Sequence, residues 1–153
     1  MSSAIFFVVF LVVGAAAGAG WRDCTVGQPL MNVSDFSVTP ASPKHGAFVR
    51  VGFVAAWAAA LTGGSVNFTM TFNGAPFRHA VHDLCHVLLL MHKFEPAVPL
   101  CPVPPQPTGF SFKSAPIFVP PTVPVGVYSA RLELSDSAGT AFNCIALDLT
   151  IRN

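Results

Sequence analysis

Charge is scarce in this sequence. Lys, Arg, Asp and Glu together make up 10% of the 153 residues, and the formal net charge is +1. Soluble domains are typically about one quarter charged, and nucleic-acid-binding surfaces are strongly basic. We therefore expect no nucleic-acid partner, and the net charge gives no support for electrostatic docking to a membrane.

The chain also lacks a continuous apolar run long enough to cross a membrane. Its N-terminal run, Ile5–Val13, spans about 14 Å as a helix, against a hydrocarbon core of about 30 Å. No charged side chain occurs in residues 1–19, and Ala17-Gly18-Ala19 fits the small-x-small cleavage pattern. We predict a cleaved signal peptide over residues 1–19, with a buried N-terminal helix or strand as the alternative. Residues 20–153 would form one domain, either secreted or in the lumen of an endosome, lysosome or vacuole.

No catalytic constellation is visible. The Gly-x-Ser-x-Gly motif is absent and the acidic residues are scattered, so we expect neither an enzyme nor a cofactor. His79, His82, His86 and His92 lie close in sequence, but His79 and His82 would point to opposite faces of a strand. We therefore predict no metal site. Protonation in an acidic compartment is the other role considered for these histidines.

An even number of cysteines follows the predicted cleavage site. They are Cys24, Cys85, Cys101 and Cys144. In an oxidising compartment they would form two disulfides, for which spacing alone leaves three pairings open. Two sequons, at Asn32 and Asn67, predict N-glycosylation and agree with passage through the secretory pathway.

Short strand-like runs separated by Pro and Gly dominate the rest of the chain. The clearest is Ser65–Phe72, where four apolar residues alternate with polar ones and Asn67 falls on the polar side. The other predicted strands are Val33–Thr39, Phe48–Trp57, Arg78–Leu84, Phe110–Phe118, Val127–Leu134 and Ala141–Ile151. Seven strands without a convincing long helix predict an all-β, immunoglobulin-like antiparallel β-sandwich.

Two segments are ambiguous. Val87–Met91 fits a strand extension, a helical turn or an apolar loop, and the Ala-rich stretch Ala55–Leu61 is compatible with a helix.

Several segments in a fixed order carry a resemblance to a known family. They are Asp23-Cys24, Val33–Pro40 with Pro43 and Gly46, Asp83-Leu84-Cys85, Cys101-Pro102-Val103, Gly126-Val127-Tyr128, Leu134-Ser135-Asp136 and Gly139–Cys144. In this order and spacing the chain resembles the ML (MD-2-related lipid-recognition) domains. That family includes the Niemann-Pick type C2 sterol carriers and the phosphatidylglycerol/phosphatidylinositol transfer proteins.

The resemblance implies both a disulfide pairing and a function. It joins Cys24 to Cys144 and Cys85 to Cys101, and it implies a monomer that holds a sterol or phospholipid between its two sheets. Lipid transfer, including intracellular sterol transport, and transient membrane contact follow as expectations. The chain lacks the further N-terminal disulfide of the type C2 proteins, so the resemblance does not extend to sterol specificity.

Inward-facing apolar residues are the candidates for the lipid-binding lining. They are Phe53, Trp57, Val66, Phe68, Met70, Phe72, Phe110, Phe112, Tyr128 and Leu132. Ordinary core packing is the alternative role of each. Val87–Met91, with Phe94, would form the cavity mouth or a lip that touches membranes. The alternative function is an immunoglobulin-like recognition or adhesion module that acts through its outer surface.

Overall fold

The computed structural model describes residues 20–153, so the predicted signal peptide lies outside the described residues. The strands are β1 (Arg22–Asp23), β2 (Met31–Thr39), β3 (Phe48–Trp57), β4 (Ser65–Phe72), β5 (Ala75–Asp83), β6 (Gln106–Lys113), β7 (Ile117–Phe118), β8 (Gly126–Ser135) and β9 (Ala141–Ile151). One helix, α1 (Leu84–Phe94), lies between β5 and β6.

The strands form two antiparallel sheets. The five-stranded sheet has the order β1-β9-β8-β4-β5, and the four-stranded sheet has the order β2-β3-β6 with β7 also paired to β3. This confirms the predicted all-β sandwich. Within residues 20–153 there are nine strands where seven were predicted. The two-residue strand β1 was not predicted, and the predicted strand Phe110–Phe118 is divided into β6 and β7. Pro116 separates β6 from β7, since proline cannot donate to the strand ladder.

The alternating segment Ser65–Phe72 occupies the predicted position. It forms β4, between β8 and β5. Val66, Phe68 and Met70 are buried between the sheets, and Asn67 lies on the outer side. The sequence pattern therefore identified both the strand and its inward face.

The ambiguous segment after β5 is a helix, and the predicted strand ends at Asp83. The Asp83 carboxylate caps α1 by accepting a hydrogen bond of 2.7 Å from the backbone N–H of His86. Apolar residues at positions 84, 87, 88 and 91 then follow helical spacing and turn one face inward. Within residues 20–153, no helix has the length and hydropathy to cross a membrane.

Both disulfides have the implied pairing. Cys24 and Cys144, with Cα atoms 4.8 Å apart, join the N-terminal segment to β9. Cys85 and Cys101, with Cα atoms 5.5 Å apart, join the first turn of α1 to the segment before β6. The first bond closes most of the chain into one loop, and the second closes only the α1 segment.

The interior is filled unevenly along the sandwich. At one end Phe68, Leu147, Leu149 and Ile151 belong to a cluster of fully buried side chains. At the other end several apolar side chains between the sheets, including Phe53, are only partly buried. Protein interiors are normally close-packed, so inward side chains that keep accessible surface indicate an internal space.

Candidate functional site

An apolar cavity of about 210 Å³ occupies this second end of the sandwich. Both sheets, α1 and the connecting loops contribute to its lining, and all of its lining residues are apolar. The one polar atom among their side chains, Nε1 of Trp57, donates to the Pro104 carbonyl at 2.9 Å. The lining side chains therefore leave no polar group unsatisfied in the cavity.

Aromatic rings from the four-stranded sheet form one wall. Phe53 on β3 lies opposite Phe112 on β6, and their ring centroids are 5.2 Å apart. Phe110, two residues earlier on β6, lies 6.1 Å from Phe53 and 5.9 Å from Trp57. Alternation along the two paired strands brings these four rings to one inner face.

The opposite wall comes from the five-stranded sheet. Leu132 on β8 and Ile145 on β9 are direct neighbours in the antiparallel register, and both line the cavity. Both are only partly buried although they lie between the sheets. Their accessible surface therefore faces the cavity.

Helix α1 and the loop after it form a third wall. Leu88 and Met91 face the cavity from the helix, and Val98 lines it from the loop. The loop is tied to the last turn of α1 by a 2.7 Å hydrogen bond between Nδ1 of His92 and the Val98 carbonyl. The Cys85–Cys101 bond joins the first turn of α1 to the end of the same loop. The helix and the loop are therefore linked to each other at two points.

Three apolar side chains on the outer side of this wall are exposed to solvent. We call them the lip: Leu89 is 42% exposed, Phe94 57% and Leu100 42%. Their neighbours Leu90 and Pro99 line the cavity. An apolar outer surface is thus continuous with the apolar interior.

Six of the ten predicted lining residues border the cavity. They are Phe53, Trp57, Val66, Phe110, Phe112 and Leu132. The structure places the other four outside it, in the packed end of the sandwich. Phe68 and Met70 are buried in the core cluster. Phe72 and Tyr128 stack at a centroid distance of 4.9 Å, and the Tyr128 hydroxyl donates to the Pro124 carbonyl at 2.8 Å.

Sequence reasoning missed other lining residues. Phe142 and Ile145 at the start of β9 belong to the cavity, as do Met31 and Leu61. Ile145 was visible as part of the alternating pattern of the last strand, but the pattern did not show which end of that strand borders the space. Leu61 lies outside the regular strands, so it carried no periodic signal.

The two histidines of β5 lie on opposite faces of the strand. His79 lies on the outer side, where its Nε2 is 2.9 Å from Oδ1 of Asn67, while His82 pairs with the buried Val66. Burial lowers the pKa of His82, and the positive charges of Arg78 and His86 act in the same direction. Within residues 20–153, no three His, Cys, Asp or Glu side chains are grouped as a metal site.

These features define a β-sandwich with an internal binding cavity for an apolar molecule. A family model described as the ML domain matches residues 18–151. The chain therefore belongs to the ML domain family, whose name refers to lipid recognition.

Two solved structures with TM-scores above 0.5 share the fold at low sequence identity. A Niemann-Pick type C2 protein from the Japanese carpenter ant superposes with a TM-score of 0.58 at 13% identity, covering 86% of this chain and 98% of that one. The C-terminal domain of wzt gives 0.55 at 12%, covering 88% and 81%. Chicken MD-1 complexed with lipid IVa is a weaker match, with a TM-score of 0.49 at 11% identity, covering 84% of this chain and 94% of that one. A search among curated proteins finds no significant match.

Proposed function

We propose that this protein is a monomeric, non-enzymatic lipid carrier that holds the apolar part of a sterol or phospholipid between its sheets. The observation that carries the proposal is the wholly apolar lining of an internal cavity. Membership of the ML family supports it. A dry, apolar space offers an acyl chain or a sterol an environment without unsatisfied polar groups.

The cavity volume sets how much of a lipid it holds. A water molecule takes about 30 Å³ in the liquid, and a methylene group is of similar size. A cavity of about 210 Å³ therefore accommodates at least roughly seven such groups. At about 0.8 kcal/mol for each buried methylene, they contribute about 5–6 kcal/mol to binding.

The lip is suited to membrane contact during lipid transfer. Leu89, Phe94 and Leu100 are exposed next to residues that line the cavity. Burial of these side chains in the acyl region of a membrane would open a path for lipid that avoids water. We propose transient membrane contact through the lip, with lipid exchange as the result.

Two aspartate variants separate membrane contact from lipid binding. Leu89→Asp places a charge on the exposed lip, so we expect the rate of lipid transfer between vesicles to fall at least about fivefold with little change in equilibrium binding. Leu90→Asp places the charge against the cavity, so we expect binding itself to weaken. Transfer is measured with fluorescent lipid in donor and acceptor vesicles, and binding by native mass spectrometry of co-purifying lipid.

Val127→Asp is the matched control for a charge on an exposed apolar site. Val127 is exposed at the start of β8, at the packed end of the sandwich. Transfer should remain at the wild-type rate in this variant. An unchanged rate in Leu89→Asp would disprove the role of the lip, and wild-type protein that carries no lipid would disprove the carrier function.

We also propose that residues 1–19 are removed on entry to the secretory pathway and that Asn32 and Asn67 are glycosylated. Asn32 is exposed on β2, and Asn67 lies on the outer side of β4. Neither residue lines the cavity, so glycans there leave it open. Peptide-N-glycosidase should lower the mass of the mature protein, and Asn32→Gln and Asn67→Gln should each remove one glycan. N-terminal sequencing that begins at Met1 would contradict the processing.

A further inference from the structure

The cavity has a definite inner end on strands of both sheets. On the five-stranded sheet the lining residues nearest the packed end are Val66, Leu132 and Ile145, and on the four-stranded sheet they include Phe36 and Val51. The next inward residue along each of these strands lies outside the cavity. These five residues are Val38, Val49, Phe68, Ala130 and Leu147, and all are buried in one core cluster. They form the inner boundary of the cavity, which we call the floor.

Phe68 is the largest side chain of the floor, and it is only 1% exposed. Val66, which lines the cavity, precedes it on the same face of β4, and Leu132, another lining residue, is its direct partner on β8. Directly opposed residues on one face of an antiparallel pair have Cβ atoms about 5 Å apart, so their side chains are in contact. The Phe68 ring therefore fills space that adjoins two lining residues.

The sandwich is closely packed beyond the floor. Met70, the next residue on the inner face of β4, is 3% exposed, and Tyr128 and Leu149 belong to the same buried cluster. An interior packed in this way leaves no room for a ligand. An apolar chain that extends toward the packed end therefore stops at the floor, and Phe68 is the bulkiest part of what stops it.

The affinity for chains of increasing length reports where this boundary lies. The lining of the cavity is apolar, so it accepts the chain of a lipid and offers no partner to a polar head group. Each further methylene that is buried strengthens binding about fourfold. A methylene that finds no room in the cavity gives no such gain, so the length at which the gain ends marks a filled cavity.

We propose that Phe68 sets the length of the apolar chain that the cavity accepts. The inference rests on the proposed lipid-binding function and adds a chain-length preference to it. A smaller side chain at this position would join the space of the phenyl ring to the cavity. A core cavity of about 150 Å³ is large enough to bind benzene. Because neighbouring side chains collapse partly into such a void, we expect the loss of the ring to add room for about two to four methylene groups.

A series of saturated fatty acids, from octanoic to stearic acid, tests the proposal with one constant head group. Affinities are measured below the micellar range by displacement of a bound fluorescent lipid. For wild-type protein the affinity should rise with each added carbon and then level off at one chain length. In Phe68→Ala this length should increase by about two to four carbons. Phe68→Val, which removes less volume and suits a strand, should give about half of that shift.

Leu149→Ala is the matched control for a void in the same core cluster. Leu149 is 1% exposed and lies on β9 beyond the floor residue Leu147, so its void is separated from the cavity. This variant should keep the wild-type chain-length profile, and unfolding in urea shows that each variant is folded. If Phe68→Ala does not fold, the milder Phe68→Val decides the question.

Three results would count against these expectations, and they are distinguishable. An unchanged profile in the folded Phe68 variants overturns the role of Phe68 and leaves binding in the cavity standing. An equal shift in Leu149→Ala also overturns it, because the shift would then follow from a loosened core. Wild-type protein that binds none of the acids overturns the lipid-binding function itself.

Discussion

A Leu132→Trp variant should lose at least about 99% of its affinity for lipid and remain folded. Leu132 projects from β8 into the cavity and keeps accessible surface there although it lies between the sheets. The indole would therefore extend into empty space rather than into packed neighbours. Because the cavity volume is about 210 Å³, one large side chain that extends into it removes space that a ligand would occupy.

The stability of this variant distinguishes a filled cavity from a damaged fold. Insertion into a packed core costs about 1–3 kcal/mol, and we expect the lower end of that range or less at a site bordered by a void. Leu132→Met, which conserves volume, is the matched control and should bind lipid as wild type does. Binding by native mass spectrometry and unfolding in urea are the two measurements. Wild-type affinity in a folded Leu132→Trp protein would show that the lipid binds elsewhere.

Removal of the Cys24–Cys144 disulfide should give the largest loss of stability. The bond closes a loop with a sequence separation of 120 residues, against 16 for Cys85–Cys101. Chain-entropy reasoning gives about 4–5 kcal/mol for the long loop and about 3 kcal/mol for the short one. The variant Cys24→Ser/Cys144→Ser should therefore melt about 15–20 °C lower than wild type.

The second disulfide provides the contrast because its loop holds part of the cavity wall. Cys85→Ser/Cys101→Ser should lose less stability, but its α1 wall is less constrained, so bound lipid should dissociate faster. Calorimetry under non-oxidising and oxidising conditions gives the stability, and release of a fluorescent lipid gives the dissociation rate. Equal melting temperatures for the two double variants would contradict the loop-length argument.

The strand pattern was predictable because burial between two sheets leaves a clear period of two. Ser65–Phe72 and Ala141–Ile151 have the predicted bounds in the structure. The helix was only one of three alternatives predicted for Val87–Met91, because the run Leu88-Leu89-Leu90 obscured the helical spacing of Leu84, Val87 and Met91. The capping residue Asp83, followed by apolar residues at that spacing, was the signal that identifies α1.

The cavity was only partly predictable, for a different physical reason. Alternation shows which face of a strand is buried, but it does not show whether the opposite sheet fills the space above that face. Val66 and Phe68 share one face of β4, yet Val66 borders the cavity and Phe68 is enclosed by core side chains. The difference depends on their positions along the sandwich, which only the tertiary structure fixes.

The closed loop between Cys85 and Cys101 makes one wall of the cavity a separable unit. Its two anchor points are 5.5 Å apart and covalently joined, whatever lies between them. Surface segments with fixed ends tolerate changes in length and composition far better than sheets do. New ligand preferences can therefore arise through substitutions and insertions in this one segment, while the strands that hold the fold together keep their sequence.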